Sequence, residues 1–152
     1  MNMRRVAIVC VGLTVAAAFG VWLYLTIDRS DSSLATALAD RAQLGPGTEV
    51  NFADVAPFDW DRVYIFGPYT PQQHVDACLG FHWPGFRRTS INESKGRNLV
   101  VFVRGKQVVR WFEQPRTIEL LHLANGKGYS REEAGFQVVG AGDQRLLVER
   151  DK

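Results

Sequence analysis

A boundary between a strand and a helix lies in residues 59–80, which read DWDRVYIFGPYTPQQHVDACLG. The first third of the segment is rich in β-branched and aromatic side chains, and this composition predicts a strand up to a Gly-Pro turn. Thr70 is a predicted capping residue, and Pro71 suits the first helical position. Gly80 supplies a stop signal for the helix. The segment therefore predicts an aromatic core strand that leads directly into a short amphipathic helix.

Two further segments predict β-hairpins. Residues 98–112, NLVVFVRGKQVVRWF, form apolar arms around Gly105-Lys106, and glycine at the first loop position suits a type II′ turn. Residues 136–139 and 145–149 flank a glycine-rich turn and predict a second hairpin. The pattern of residues 117–135 fits either a short strand or a helical turn, and the sequence does not decide between these two structures.

These elements predict an α+β fold: an N-terminal transmembrane helix, then an antiparallel sheet of about 4–5 strands packed with one or two helices. Residues 49–152 form the predicted domain. Residues 28–48 predict a juxtamembrane connector with a weakly apolar helix, partly docked on the domain. Ser32 or Ser33 is its predicted cap, and Gly45-Pro46-Gly47 ends it.

The N-terminal region is the most apolar part of the chain. Residues 6–27 carry no charge and follow Arg4-Arg5. A helix of about 22 residues is roughly 33 Å long, enough to cross a hydrocarbon core. The two arginines predict that residues 1–5 are cytoplasmic and that the domain is exported. The expected location is a bacterial inner membrane, crossed once by an uncleaved signal anchor, with the domain periplasmic or extracytoplasmic.

Two other readings of this region stay open. A signal peptidase site after Ala16-Ala17-Ala18 would leave an exposed apolar tail on the mature chain. A lipoprotein signal at Cys10 would need a small residue before the cysteine, and Val9 stands there instead. Cys10 and Cys78 are not expected to pair, so the domain is predicted to have no internal disulfide.

Two groups of residues have spacings that metal or acid–base chemistry can use. Asp59 and Asp61 are two residues apart at a strand entrance, where they could act together or simply bond nearby backbone and basic groups. His74, Cys78 and His82 recur every four residues, as zinc ligands on one helix would. Gly80 interrupts that helix, and Cys78 also belongs to its apolar stripe, which favours a core position for the thiol.

The sequence has no nucleophile elbow, Walker loop or dinucleotide fingerprint, and His122 has no visible triad partners. We therefore expect no enzymatic activity, no catalytic residues, no metal, no cofactor and no small-molecule ligand.

Charge is unevenly distributed along the chain. Residues 28–86 are net acidic, whereas residues 87–116 carry eight basic side chains and only Glu93 and Glu113. The favoured interpretation is internal pairing between the acidic first half and the basic middle, or a solvated strand face. The alternative is a face that attracts anionic lipid headgroups, an acidic partner or a polyanion, and an exported domain makes nucleic acid an unlikely ligand. The candidate partner-binding residues are Arg104, Lys106, Arg110, Trp111 and Trp83.

The motifs in residues 59–80 and in INESKGRNLVVFVRGKQVV, residues 91–109, resemble a family of small, uncharacterised bacterial envelope proteins and lipoproteins. That family shows a WDxVYIFxPYT strand-to-helix motif and an LVVFVxxGxVV hairpin, and the resemblance covers about residues 58–112. It implies an envelope location and no known activity. This chain lacks a lipobox, which favours the membrane span. The GPYTPQQHVDACLG helix is also similar to one in the small lipoprotein of the outer-membrane β-barrel assembly machinery, which implies protein binding.

Three functions follow as hypotheses. The preferred one is a membrane-anchored extracytoplasmic protein that binds an envelope protein or has a structural role. The alternatives are a periplasmic immunity or inhibitor protein against an exported toxin or enzyme, and a metal-dependent enzyme.

Overall fold

Residues 28–140 and 145–150 are described by the computed structural model of the chain, and they form an α+β fold with two mixed sheets. The strands are β1 (Arg29–Ser30), β2 (Glu49–Asn51), β3 (Arg62–Phe66), β4 (Arg97–Arg104), β5 (Gln107–Pro115), β6 (Ile118–Glu119), β7 (Tyr129–Ser130), β8 (Gly135–Val139) and β9 (Arg145–Glu149). The α-helices are α1 (Ser32–Gln43), α2 (Phe52–Val55) and α3 (Gln72–Leu79). Two short 3₁₀ helices cover Pro84–Arg88 and Leu121–Leu123.

The first sheet has the strand order β1-β5-β4-β3-β7. β4 is its central strand and pairs antiparallel with β3 and β5, which confirms the predicted hairpin. Gly105 takes φ 59 in the loop, as glycine at the first position of the predicted turn requires. β1 lies at the edge of the sheet and pairs parallel with β5.

The second sheet has the order β2-β8-β9-β6. β8 and β9 form the predicted C-terminal hairpin, although residues 141–144 of its turn lie outside the described part. The prediction of one antiparallel sheet is wrong, because β2 pairs with β8 and β6 pairs parallel with β9. Strands of two or three residues are too short to show an alternating pattern, so the sequence does not predict β1 and β2, whereas β6 lies where a short strand is one of the two alternatives.

The first sheet separates two hydrophobic core clusters, one on each of its faces. Phe102 of β4 faces a cluster shared with the second sheet and α1, where it packs near Phe52 and Phe112. Val101 faces the other side, among residues of α3 and the first 3₁₀ helix. Six consecutive residues of β4 are buried, which confirms that this arm is a central strand covered on both faces.

The connector is part of the domain. Leu34 and Leu38 of α1 are buried in the main core, so the helix is packed on the domain rather than partly docked. Its cap is Asp31, whose Oδ1 accepts a hydrogen bond from the Ser33 N–H at 3.2 Å, and the prediction of Ser32 or Ser33 as cap is wrong. Aspartate suits this position because its carboxylate is both an acceptor and a negative charge at a helix N-terminus.

The strand-to-helix boundary forms largely as predicted. β3 ends at Phe66, and α3 ends at Gly80, which takes φ 76. Thr70 does not cap the helix, because its hydroxyl donates to the Gly67 carbonyl at 2.7 Å. Pro71 occupies the cap position itself, one residue before the helix.

The predicted membrane anchor, residues 6–27, lies outside the described residues. Among the described residues, no helix combines the length and apolar character needed to cross a bilayer.

Candidate functional site

Tyr69 has an unusual backbone conformation at the turn between β3 and α3. Its φ is +60, in the left-handed region that side chains other than glycine, asparagine and aspartate rarely enter. Two hydrogen bonds fix the turn: the Tyr69 N–H donates to the Ile91 carbonyl at 2.8 Å, and the Thr70 hydroxyl donates to Gly67. The surrounding structure thus holds Tyr69 in a strained conformation, with half of its side chain exposed.

Leu121 lies beside this turn. The 3₁₀ helix that carries it buries Leu123 in the core and leaves Leu121 at the surface. A Cβ atom placed on Gly67 would lie 2.6 Å from Leu121 Cδ1, so the leucine packs directly over the turn backbone. Glycine at position 67 is what permits this approach.

Tyr69 and Leu121 are exposed apolar residues at the same turn, since Leu121 packs over Gly67 and Tyr69 follows Gly67 by two residues. They are 51% and 47% exposed, and the third large hydrophobic residue exposed in the described part of the chain, Leu44, follows α1. Exposed apolar residues gathered at one place indicate an interaction site more than single scattered ones do. We call this pair, with Gly67 beneath it, the Tyr69–Leu121 surface. It can bury apolar groups of a partner, and the tyrosine hydroxyl can add a hydrogen bond.

A second group of contacts fixes the first described residue of the chain. Asp28 Oδ1 accepts a hydrogen bond from Trp83 Nε1 at 3.0 Å, and the carboxylate also pairs with the Arg88 guanidinium. Arg88 further donates to the Asp28 carbonyl at 3.0 Å. Gly85 lies against Asp28 and Trp83, because a Cβ atom at Gly85 would overlap the Asp28 carboxylate and the Trp83 indole nitrogen. We call these four residues the Asp28 cluster.

The two tryptophans predicted to bind a partner lie inside the domain. Trp83 and Trp111 are buried and meet edge to face, with ring centroids 5.9 Å apart. Arg88 also lies over the Trp111 ring, at 5.8 Å from the centroid. In this structure neither indole is presented to a partner, and both instead connect the first 3₁₀ helix to β5.

The three basic candidates differ in their surroundings. Arg110 is mostly buried, with its Nε 3.7 Å from Asp31 Oδ2 and its guanidinium 5.3 Å from the Phe58 ring centroid. Arg104 is exposed and lies 3.9 Å from Asp59. Lys106 is exposed in the turn. The contacts of the two arginines support internal pairing with the acidic first half, and partner binding by these residues stays a prediction.

Asp59 and Asp61, the two aspartates with a spacing suited to acid–base chemistry, have different contacts. Asp61 Oδ2 accepts a hydrogen bond from the Gly105 N–H at 2.6 Å and thereby fixes the β4–β5 turn. The Asp59 side chain is 92% exposed. The structure supports the simpler reading, in which these carboxylates bond a backbone group and a neighbouring base.

The three residues with zinc-ligand spacing, His74, Cys78 and His82, do not form one group. Cys78 Sγ lies 3.6 Å from His74 Nε2, as the helical spacing requires. His82 follows the end of α3 and pairs instead with Asp76, with Nδ1 2.7 Å from Oδ2. Within the described ranges, no three metal-ligating side chains form a group. Cys78 is only partly buried at the edge of the core, and this burial raises the pKa of its thiol.

Sequence reasoning missed a buried polar group. Asn98 and Gln114 face each other across β4 and β5, and both are buried. Asn98 Nδ2 donates to Glu119 Oε1 at 3.4 Å, and Glu119 also accepts from the Leu121 N–H at 2.9 Å. Burial alone would raise the pKa of Glu119, but hydrogen bonds and the Arg116 charge lower it overall. A partial signal was available, since Asn98 is a polar residue next to the unbroken apolar run of residues 99–103, whereas Gln114 lies beyond the predicted hairpin.

Comparison with known proteins gives no match: no protein-family model, no curated protein and no solved structure is similar to this chain. The resemblance to small envelope proteins therefore stays a prediction based on its motifs.

Proposed function

We propose that this chain is a single-pass bacterial inner-membrane protein whose extracytoplasmic α+β domain binds another protein of the cell envelope through the Tyr69–Leu121 surface. The observation that carries the proposal is the conformation of Tyr69, which is strained and exposed at once.

The strain has an energetic meaning. A left-handed conformation costs a residue other than glycine about 1–2 kcal/mol, and a half-exposed ring recovers only part of that by burial. Strained residues persist where the surrounding structure fixes them, and they concentrate at binding and catalytic sites. A tyrosine held in this way, with a leucine beside it, is suited to insert into an apolar pocket of a partner.

The neighbouring side chains suit binding better than catalysis. Phe66, which precedes the turn, and Leu123, which lies in the same 3₁₀ helix as Leu121, are both buried and attach these two segments to the core. The two groups with catalytic spacing have structural contacts, since Asp61 bonds the Gly105 N–H and His82 bonds Asp76. No observation favours the metal-dependent enzyme. The inhibitor hypothesis differs from the proposal only in the identity of the partner.

Support for the membrane anchor comes from the amino-acid sequence. The uncharged residues 6–27 end immediately before Asp28, the first residue that the structure describes. A domain that begins at the end of a span remains close to the bilayer, where other envelope proteins are concentrated.

Photo-crosslinking in living cells tests the proposal. A photoreactive amino acid is placed at Tyr69, at Leu121 and, as a matched control, at Leu44, which is even more exposed. We expect Tyr69 and Leu121 to capture the same protein and Leu44 not to capture it. The Tyr69→Asp variant should remove capture from Leu121 while the anchored amount of protein stays unchanged.

Equal capture from all three positions would contradict a specific surface, and so would the absence of any product from Tyr69 in a folded, anchored chain. A captured exported toxin or enzyme would identify the inhibitor hypothesis as the correct form of binding.

A further inference from the structure

We propose that the turn end of the first sheet, where β4 meets β5, lies against the membrane and that its unpaired basic side chains bind anionic lipid headgroups. This inference rests on the proposed anchor at residues 6–27, and it goes beyond the protein-binding role by fixing how the domain is oriented on the bilayer.

The direction of β1 gives the orientation. The Asp28 N–H donates to the Val108 carbonyl at 2.9 Å, and Arg29 and Ser30 then lie opposite Arg110 and Trp111. Because β1 and β5 are parallel, the chain enters the sheet at the start of β5, which is the end that holds the Gly105-Lys106 turn. We therefore place the end of the proposed span at the turn end of the sheet.

The connection leaves little slack. Asp28 is fixed by its backbone bond to Val108 and by the side chains of Trp83 and Arg88. The uncharged segment ends at Ile27, so the end of the predicted span is one residue from a fixed point. Lys106 is two residues from Val108, or about 7 Å along an extended chain. A span that ends at the interface brings this turn to the level of the headgroups.

The charges at this end are complementary to an anionic surface. Arg29, Arg87 and Lys106 are exposed, and within the described part of the chain none of them has an ion pair. Among the acidic side chains nearby, Asp28 pairs with Arg88, Asp59 lies 3.9 Å from Arg104, and Asp61 accepts a hydrogen bond from the Gly105 N–H.

The opposite end of the hairpin is different. Arg97 lies 3.7 Å from Glu113, and Arg116 pairs with Glu119, so two cations there are neutralised by acids. Lys95 at that end also has no ion pair among the described residues, against three such cations at the turn end, so the turn end has more unpaired positive charge available to lipid phosphate groups. Near an anionic surface each lysine or arginine contributes about 1 kcal/mol, or about fivefold in population.

Fluorescence quenching in nanodiscs measures this orientation. The full-length chain, with Cys10→Ala and Cys78→Ala, carries a bimane label at Gln107→Cys in the turn or at Lys95→Cys beyond the start of β4. β4 has eight residues, so the two labels are about 26 Å apart. The nanodiscs contain phosphatidylcholine with or without phosphatidylglycerol, and a small share of the lipid has a nitroxide on its headgroup.

We expect strong quenching at Gln107 and weak quenching at Lys95, with the Gln107 signal increasing when phosphatidylglycerol is present. Lys106→Gln should lower that increase by up to about fivefold, whereas Lys95→Gln, which removes one cation from the far end, should not change it. Equal quenching at both labels would overturn the orientation. A Gln107 signal that is insensitive to phosphatidylglycerol, or equally sensitive to both lysine substitutions, would overturn headgroup binding.

Flotation of the chain with lipid vesicles at alkaline pH separates this inference from the proposed function. If the chain does not float, the anchor is wrong and both proposals fall. If it floats and the labels are quenched equally, only the orientation is wrong.

Discussion

Replacing Gly85 by alanine tests the Asp28 cluster with the smallest possible change. The added methyl group would overlap the Asp28 carboxylate and the Trp83 indole nitrogen, so their hydrogen bond could not survive in its present form. Gly85 is buried and has no left-handed φ, so backbone conformation does not explain why glycine is needed there.

The expected cost follows from the groups that lose their partners. The Trp83 indole is buried, and leaving its N–H without an acceptor costs about 1–3 kcal/mol. The Asp28–Arg88 pair is partly exposed and contributes about 0–1 kcal/mol. Gly85→Ala should therefore lower the free energy of unfolding by about 1–4 kcal/mol. Gly96→Ala is the matched control, because a Cβ atom there meets nothing within 4 Å, and we expect a change of about 0.5 kcal/mol or less.

The assay is urea unfolding of the full-length chain in a mild detergent, followed by tryptophan fluorescence. A second comparison identifies the mechanism: Asp28→Ala removes the acceptor of the hydrogen bond that Gly85→Ala disturbs, so the effects of the two changes should be less than additive. The reasoning is refuted if Gly85→Ala is as stable as the Gly96→Ala control. Full additivity of the two changes would show that the methyl group acts somewhere other than at Asp28.

Three further results are expected. Asp61→Ala should lower the free energy of unfolding by about 1 kcal/mol, because the Gly105 N–H loses its acceptor. Asp59→Ala should leave the free energy of unfolding nearly unchanged, and urea unfolding of both variants checks this. The pKa of Glu119 is lowered in the folded protein, so the ionised side chain contributes to stability above its unfolded-state pKa of about 4.3. This contribution is lost as the pH falls through the folded-state pKa. The difference in the free energy of unfolding between the native chain and Glu119→Gln should therefore disappear in acid and persist in alkali, which urea unfolding across pH measures. Tyr69→Gly should keep the free energy of unfolding or raise it by up to about 1 kcal/mol, because glycine adopts the left-handed conformation without strain. The same variant should abolish crosslinking at the Tyr69–Leu121 surface. A decrease of more than about 2 kcal/mol in the free energy of unfolding would show that the ring is structural.

The strand-to-helix boundary and both hairpins were predictable because their signals are local. Gly80 and Gly105 adopt the positive φ that their positions suggested, and β4 is buried on both faces as its unbroken apolar run implied. In each case the residue type restricts the backbone within a few positions, and no distant contact is needed.

The second sheet and the parallel edge strand could not be predicted because their signals are not local. β1 has two residues, and its pairing with β5 depends on contacts between positions about 80 apart in sequence. The capping of α1 by Asp31 instead of a serine depends on competition among neighbouring acceptors, which the sequence alone does not rank.

The candidate site was only partly visible in the sequence. Charge segregation correctly indicated pairing between the halves of the chain, as Arg88 with Asp28 and Arg110 with Asp31 illustrate. The tryptophans could not be assigned to core or surface, because aromatic side chains occupy both. The left-handed conformation of Tyr69 has no sequence signal, since tyrosine is among the residues that rarely adopt it.

The position of β1 has a consequence for the solubility of the domain. β5 would otherwise expose its backbone N–H and C=O groups along Val108 to Trp111, and such an edge can pair with a second chain and start aggregation. Arg29 and Ser30 cover that edge with a short strand that carries a charge. Arg29 and Ser30, which connect the domain to its predicted anchor, thus also protect the edge of the sheet. A protein shortened to begin at Ser32 should aggregate even though it keeps every core residue that the structure describes.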